Sequence, residues 1–363
     1  MNASVIEPRS FLPAQPLPVC PRPFPGEASG SWLWRVAREY GYSTARFMAA
    51  IGFDVTHPRT AGQTLRAAEV QHLAYLARLP VENLAYMAAI PMEWRLVPFR
   101  DKPLCCHCWR EDDRLLGQPV EYNVWLHAGR ISCRRHGSWL TSIHAAVGSE
   151  FADPDDRARR GIPERTLDQM IEADVRRREH PQASWLPCVE PILTAVEATV
   201  VRATGGLPPD EDEWGALDAD GFLHVVDDVT TWSLTNFELF RAPCPADVFV
   251  SKSAPVLPNI FRFWGTPAPP WTAQSTVVHL RDRIEPAVRR SALWLAHALL
   301  AKSHPATRST EGGMDRQGRQ RQVFRGQNPA GLAWLATKMQ QWPDEYRIRN
   351  WLDSESLLVP SGQ

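Results

Sequence analysis

Four residues in the middle of the chain have the types and the spacing of a metal site. Cys105 and Cys108 are two residues apart, and Cys133 and His136 repeat that spacing after 24 intervening residues. A tight turn can present both side chains of such a pair to one ion, so two pairs complete a tetrahedral shell. Three thiolates and one imidazole suit Zn(II), and four protein ligands leave no position for a catalytic water. The pattern predicts one structural Zn(II) per chain.

Neighbouring residues leave the ligand set open at this stage. Cys106 and His107 lie inside the first pair and His144 follows the second, so each of them is an alternative ligand. The reading without a metal is that the cysteines are buried small residues and that His136 is an ordinary surface residue. The spacing of both pairs favours the metal.

The sequence contains no motif of the common catalytic machineries. A Gly-x4-Gly-Lys phosphate loop, a His-Glu-x2-His zinc site and a Gly-x-Ser-x-Gly nucleophile turn are all absent. A zinc deaminase needs a His-x-Glu element, and none of the 11 histidines has Glu at that spacing. A scattered carboxylate triad remains as the enzymatic alternative, because 41 acidic residues allow many combinations. The sequence favours a protein that is not an enzyme.

The residues before the candidate site divide into a leader and a helical domain. We interpret residues 1–20 as a proline-rich leader and residues 21–100 as a helical domain. Apolar periodicity, the stop at Gly41 and the N-cap at Ser43 predict two helices joined by a tight turn. A second hairpin is predicted over residues 65–87. Two such hairpins are typical of a helix-turn-helix-like domain, although the same pattern describes any small helical scaffold.

The rest of the chain is predicted as a zinc-binding module at residues 101–148 and a mainly helical region at 149–363. The module should hold a strand-like run at residues 121–126 and a small tryptophan core formed by Trp109, Trp125 and Trp139. Helices are predicted at residues 166–179, from Pro286 to about 304, and at about 330–340. An acidic loop at 210–213 and proline-rich stretches predict a middle rich in loops, and residues 308–328, with five arginines against two acids, predict a basic loop. The expected fold is mainly α with a small zinc-ribbon-like domain.

Composition limits the classes of partner. The 363 residues hold 40 Lys+Arg and 41 Asp+Glu, so a net charge of -1 gives no general attraction for nucleic acid or membrane. The longest apolar stretch is too short to span a membrane, and the proline-interrupted start argues against a secretory signal. We therefore expect a soluble protein in a reducing cytoplasm, where cysteines serve as ligands or core residues rather than disulfides.

Two groups of residues together resemble the TniQ family, the target-selection proteins of heteromeric and CRISPR-associated DNA transposons. The first runs from Pro21 to Glu27 and continues through Ser31-Trp32-Leu33, Arg35-Val36-Ala37, Tyr40-Gly41 and Phe47. The second comprises Cys105, Cys108, Glu111-Asp112, Trp125 and Cys133-x2-His136-Gly137. The resemblance covers about residues 16–145.

The resemblance implies a non-catalytic adaptor that brings a transposition machinery to a chosen DNA site. Its implied partners are an AAA+ ATPase regulator and the transposase, and in some branches the target DNA or a CRISPR effector complex; a homodimer is also compatible. The alternative is a zinc-containing helix-turn-helix regulator that reads DNA by itself. A dedicated reader needs a basic stripe along its recognition helix, and the stretch from Thr44 to Ile51 offers only Arg46.

Contacts with DNA or a partner are expected from local arginines. These candidates are Arg22, Arg35, Arg38, Arg46, Arg319, Arg321 and Arg325. We further predict that residues 21–26 pack as a strap against the helical hairpins, that Glu27 lies near a helix N-terminus, that Trp32 is buried, and that Arg35 is partly exposed.

Overall fold

The computed structural model describes residues 15–54, 64–96, 103–142, 162, 164–179, 186–235, 279–282, 286–302 and 329–343. Within these ranges the protein is mainly helical, which confirms the predicted fold class. The helices are α1 (Ser29–Glu39), α2 (Thr44–Ala50), α3 (Ala67–Ala77), α4 (Cys106–Leu116), α5 (Glu164–Glu179), α6 (Leu186–Ala203), α7 (Glu211–Trp214), α8 (Ala219–Thr235), α9 (Pro286–Leu300) and α10 (Pro329–Met339). Over the described ranges, every helix is too short or too polar to cross a membrane.

Short strands and 3-10 helices complete the architecture. Strand β1 (Pro103–Leu104) pairs antiparallel with β4 (Thr141–Ser142), and β2 (Ser132–Cys133) pairs antiparallel with β3 (Ser138–Trp139). The 3-10 helices span Val81–Asn83, Ala85–Ala88, Met92–Trp94, Asn123–Leu126 and Leu280–Asp282. The two small sheets frame the segment that contains the predicted metal ligands.

The N-terminal helices form as their sequence predicts. Ser43 caps α2, since its side chain accepts a hydrogen bond from the backbone N–H of Arg46 at 3.3 Å. Trp32 is buried, and its indole N–H donates to the carbonyl of Pro21 at 2.7 Å, which holds the preceding strap against α1. Glu27 lies just before the first turn of α1, where the helix dipole favours a negative charge.

Three sequence interpretations are wrong in their local structure. The helix predicted after Val81 is two short 3-10 helices rather than one α-helix. The run at residues 121–126 is not a strand: Tyr122 forms an isolated bridge with Glu27 and the next four residues turn as a 3-10 helix. Asp210 caps α7 instead of lying in a loop, because its carboxylate accepts the backbone N–H of Asp212 and the acids that follow suit the positive end of the helix.

Helix α8 lies in the middle of the chain that was predicted to be rich in loops, and the proline-rich stretches at 243–245 and 255–270 lie outside the described residues. Helices α6 and α8 pack with α9 and α10 into the largest apolar cluster of the described residues. Trp214 and Trp232 lie at its centre, and the indole N–H of Trp342 donates to the carboxylate of Asp228 at 2.8 Å. Four residues from the first half of the chain, Trp94, Leu96, Ala128 and Ile131, belong to the same cluster. The division of the chain at residues 100 and 148 stays a prediction.

Candidate metal centre

The four predicted ligands come together at one buried point. Every pair of their ligand atoms lies within 4.8 Å. The Nδ1 atom of His136 lies 3.5 Å from the sulfur of Cys105, 3.3 Å from that of Cys108 and 3.7 Å from that of Cys133, while the Cys108 and Cys133 sulfurs are 3.7 Å apart. Tetrahedral bonds of about 2.3 Å to sulfur and about 2.1 Å to nitrogen place sulfurs about 3.8 Å apart and a sulfur and a nitrogen about 3.6 Å apart. The spacing therefore matches a four-coordinate Zn(II) shell.

Different elements supply the two pairs. Cys105 is the residue before α4 and Cys108 lies in the first turn of that helix. Cys133 ends β2, and His136 lies in the turn to β3, where Gly137 adopts a φ of 62° that suits glycine. The first pair is thus held by a helix start and the second by a tight hairpin.

The imidazole of His136 is oriented from its far side. Its Nε2 atom lies 3.0 Å from the Oε1 atom of Glu111 on α4, so Nδ1 is left to face the sulfurs. Arg135 lies 2.6 Å from the other oxygen of Glu111. A carboxylate that fixes the ring of a metal-binding histidine is a recurrent second layer of zinc sites.

The neighbouring candidates lie outside this group. His107 faces α5, where its Nε2 atom lies 2.9 Å from the carboxylate of Asp174. Cys106 is buried in the apolar cluster of the module, which also contains Trp109 and Trp125 but not Trp139. His144 lies outside the described residues. Among the residues that the structure describes, the set of Cys105, Cys108, Cys133 and His136 is the one group with metal-site geometry.

The sulfurs of Cys105, Cys108 and Cys133 lie close together, which favours binding of a cation between them. The pKa of the Cys108 thiol is raised well above its ordinary value, because it shares hydrogen bonds with the sulfurs of Cys105 and Cys133 and is buried. Three thiolates in this space repel one another unless a divalent ion neutralises them. An ion with four protein ligands around it would have no open position for substrate.

A second buried polar group ties the opening segment to α1. The carboxylate of Glu27 has no solvent exposure and accepts hydrogen bonds from Arg35 Nε at 3.0 Å, Ser31 Oγ at 2.8 Å and the backbone N–H of Phe24 at 2.9 Å. Arg35 Nη2 lies 2.5 Å from the same carboxylate and donates to the carbonyl of Arg22 at 2.9 Å. The side chain of Arg35 is 11% exposed, so most of its hydrogen-bonding capacity is used inside the protein.

The other arginines that we predicted to contact DNA or a partner differ from Arg35 in their exposure and contacts. Arg22, Arg38 and Arg46 are exposed. Arg38 lies over the ring of Trp34 and Arg46 over that of Tyr42, at 5.5 and 5.6 Å from the ring centroids. Arg319, Arg321 and Arg325 lie outside the described residues. The assignment of all seven to DNA or a partner stays a prediction.

Sequence reasoning missed the residues that join the metal centre to the C-terminal helices. Arg289 of α9 is fully buried, and its Nη1 atom donates to the carbonyls of His127, Ala128 and Arg130 at 3.2, 2.8 and 2.8 Å. Glu197 of α6 pairs with Arg130 and accepts a hydrogen bond from Ser132 Oγ at 2.6 Å. The sequence shows only that Arg289 and Glu197 interrupt apolar helix patterns. That signal does not identify the backbone carbonyls or the arginine that they contact.

The geometry defines a helical protein in which a buried Cys3His cluster could hold a metal ion beside a helical core. Residues 18–140 match the model of the TniQ family. This match confirms the resemblance to the TniQ family over about a third of the chain. Comparison with curated proteins and with solved structures finds no match to the chain.

Proposed function

We propose that the protein is a non-catalytic transposition adaptor that selects or recruits the target DNA site for a transposase and its AAA+ ATPase regulator. The observation that carries this proposal is the TniQ match over residues 18–140, which contains the N-terminal helices and all four candidate ligands. We also propose that the ion is a single structural Zn(II) and that the protein works in the cytoplasm.

The residues of the centre support a positioning role. Cys105, Cys108, Cys133 and His136 close the shell, and Glu111 keeps Nδ1 of His136 turned towards the sulfurs. A bound Zn(II) would join the start of α4 to the β2–β3 hairpin, and it would thereby stabilise the surface around them. This arrangement suits a protein that presents a fixed surface to other macromolecules.

Any direct DNA contact should be weak and local. Arg22, Arg38 and Arg46 are exposed on the N-terminal segment, whereas Arg35 is held by Glu27. Neutralising a few phosphates gives a slope of about -0.9 in log K per phosphate against log salt, so affinity should fall severalfold between low and physiological salt. This count favours the adaptor over an independent DNA reader.

The proposed function is tested by association with an AAA+ ATPase, which the proposal expects to be encoded beside this gene. Purified protein should retain the ATPase in a pull-down, and Cys133→Ser should lose most of that binding. Cys20→Ser is the matched control, because Cys20 is a half-buried cysteine outside the metal centre. Tight sequence-specific binding of duplex DNA without a partner would favour the regulator instead. Metal-dependent DNA cleavage by the protein alone would contradict both functions.

A further inference from the structure

A cavity of about 220 Å³ lies beside the metal centre, on the side of Cys108 and Cys133. Cys105 and His136 do not line this cavity, so it is distinct from the space that a metal ion would fill. Exposed Val124 and Arg134 form part of its lining, and the cavity is therefore open to solvent. Neither the metal centre nor the contacts with the C-terminal helices account for it.

The walls of the cavity are mainly apolar. Tyr122 and Trp125 meet edge to face with their ring centroids 4.9 Å apart and form one side. Val124 is 45% exposed at the opening, which leaves a large apolar side chain in contact with water. A cavity of this size and lining suits one aromatic or large aliphatic side chain.

The charges around the opening favour a single carboxylate. Glu197 compensates Arg130, and Glu111 lies 2.6 Å from Arg135. Arg134 is exposed and makes no ion pair with any residue that the structure describes. One uncompensated positive charge fits one acidic side chain better than it fits a nucleic acid backbone, which needs several cations along its path.

We propose that this cavity binds a short acidic segment of a partner protein. An apolar or aromatic side chain of the segment enters between Tyr122 and Val124, and an adjacent carboxylate pairs with Arg134. The proposal rests on the adaptor function only in requiring that a partner protein supplies the segment.

Fluorescence anisotropy with the full chain tests this site. The probes are fluorescein-labelled heptapeptides with a central Trp, Phe, Tyr, Leu or Met between glutamates, and the reference peptide has Ala at the centre. We expect at least one probe to bind about tenfold more tightly than the reference, since buried aromatic anchors dominate such contacts. If every probe binds no better than the reference, the proposal is wrong.

Paired variants locate the binding. Val124→Glu and Arg134→Glu should each weaken the best probe about tenfold, whereas Leu115→Glu and Arg114→Glu should leave its affinity unchanged. The two controls alter exposed residues of the same types on α4, outside the cavity. Equal loss in the controls, or stronger competition by single-stranded oligothymidine than by unlabelled peptide, would overturn the proposal.

The ATPase pull-down separates this proposal from the adaptor function. If Val124→Glu abolishes peptide binding but leaves the pull-down intact, the pocket binds a segment of a protein other than the ATPase. If the pull-down fails for every form of the protein while the peptide still binds, the adaptor function is wrong and the pocket is not.

Discussion

Glu27 and Arg35 form an ion pair in which the carboxylate of Glu27 is fully buried. Glu27 carries no solvent exposure and has three donors around it besides Arg35 Nη2. Its removal leaves Arg35 partly buried without its counter-charge, and breaking a buried pair in this way costs about 3–5 kcal/mol. The pair also explains why the strap before α1 has a defined position.

We predict that Glu27→Ala lowers the free energy of unfolding by about 3 kcal/mol or more, as measured by urea denaturation. The matched control is Glu172→Ala on α5, whose pair with Arg176 is 65% exposed on both sides. That exposed pair should contribute no more than about 0.5 kcal/mol. Equal effects of both substitutions would contradict the structural role of Glu27.

The metal ligands give a second prediction at this scale. Cys133→Ser should reduce the metal content from about one ion per chain to near zero, because a closed site rarely tolerates the loss of one thiolate. Mass spectrometry of metals measures this change. Hydrogen exchange should speed up in residues 103–142 first, and Cys20→Ser should leave both readouts unchanged. A variant that keeps its metal would remove Cys133 from the ligand set.

His127 makes the stability depend on pH. Burial, and then the charges of Arg130 and Arg289, lower the pKa of its imidazole from 6.5 to about 3. The neutral ring accepts the N–H of Gly129 at Nδ1 and donates from Nε2 to Thr204, at 3.0 Å each. The unfolded chain binds a proton below pH 6.5 whereas the folded chain does not until about pH 3, so stability is full above pH 6.5 and falls with pH across this window.

We predict that this group contributes a slope of up to about 1.4 kcal/mol per pH unit below pH 6.5. The test is the difference between wild type and His127→Gln in urea unfolding at several pH values from 7 to 5. The difference cancels the other titrating groups. Wild type should lose its advantage over the variant as the pH falls, and parallel profiles would show that His127 is not held neutral.

The sequence was informative about which residues form the Cys3His cluster and uninformative about the buried ion pairs. Cys105, Cys108, Cys133 and His136 could be chosen because two residues of separation within each pair impose a local geometry. Arg289 and His127 are 162 residues apart in the chain, and Arg130 and Glu197 are 67 apart. No local pattern encodes which distant charge or carbonyl completes such a contact.

At the scale of elements, the backbone at Gly129 packs tightly against Val200 of α6. A Cβ atom at this position would lie 2.7 Å from Cγ1 of Val200 and 3.3 Å from the imidazole of His127. The 2.7 Å contact with Val200 is shorter than packed side chains allow, so the helix or the turn must move. Gly129 therefore sets the distance between the two elements.

We expect Gly129→Ala to lower the free energy of unfolding by about 1–3 kcal/mol through overpacking. Val200→Ala should remove the clash, so adding Gly129→Ala to that variant should cost much less than it costs in the wild type. Thermal or urea unfolding of the four proteins of this cycle measures the coupling. If the effects of the two substitutions on the free energy of unfolding are additive, the contact with Val200 is not the cause of the destabilisation by Gly129→Ala.

Helices α6 and α8, which the sequence analysis did not predict, show that burial of apolar side chains can outweigh a low local helix propensity. Helix α6 contains Pro187 and Pro191 in its first turns, and proline is unfavourable inside a helix. Helix α8 contains three valines and two consecutive threonines in its middle, residue types that lower helix propensity. Phe222, Val226 and Trp232 of α8 are nonetheless buried, and packing of this kind overrides propensity. By contrast α2 could be predicted from its cap and its apolar face, because both signals are local.

At the scale of the whole molecule, the segment that matches the TniQ family model shares its apolar core with the C-terminal helices. Trp94, Leu96, Ala128 and Ile131 are buried in the same apolar cluster as α6, α8, α9 and α10. Arg289 and Arg290 of α9 also donate to backbone carbonyls between residues 127 and 140. Arg290 lies 4.2 Å from the ring centroid of Trp139, which explains why this tryptophan is not part of the module's own core.

We therefore predict that a fragment of residues 18–140 is less stable than the full chain even when zinc is supplied. It should bind an apolar dye more strongly and self-associate in sedimentation experiments, because it exposes surface that the C-terminal helices bury. The full chain under the same conditions is the control. A monomeric fragment with the thermal midpoint of the full chain would show that the interface contributes little.

The contacts of Arg289 have a consequence for the order in which the protein can fold during its synthesis. The carbonyls of residues 127–130 leave the ribosome before α9 is made, and 162 residues separate Arg289 from His127. At about 5–20 residues per second, this interval lasts roughly 8–30 s. The nascent chain must spend that time with part of its apolar surface uncovered. We expect early metal uptake by the cysteines, which needs only residues up to His136, to hold this half of the protein in shape until its other half arrives.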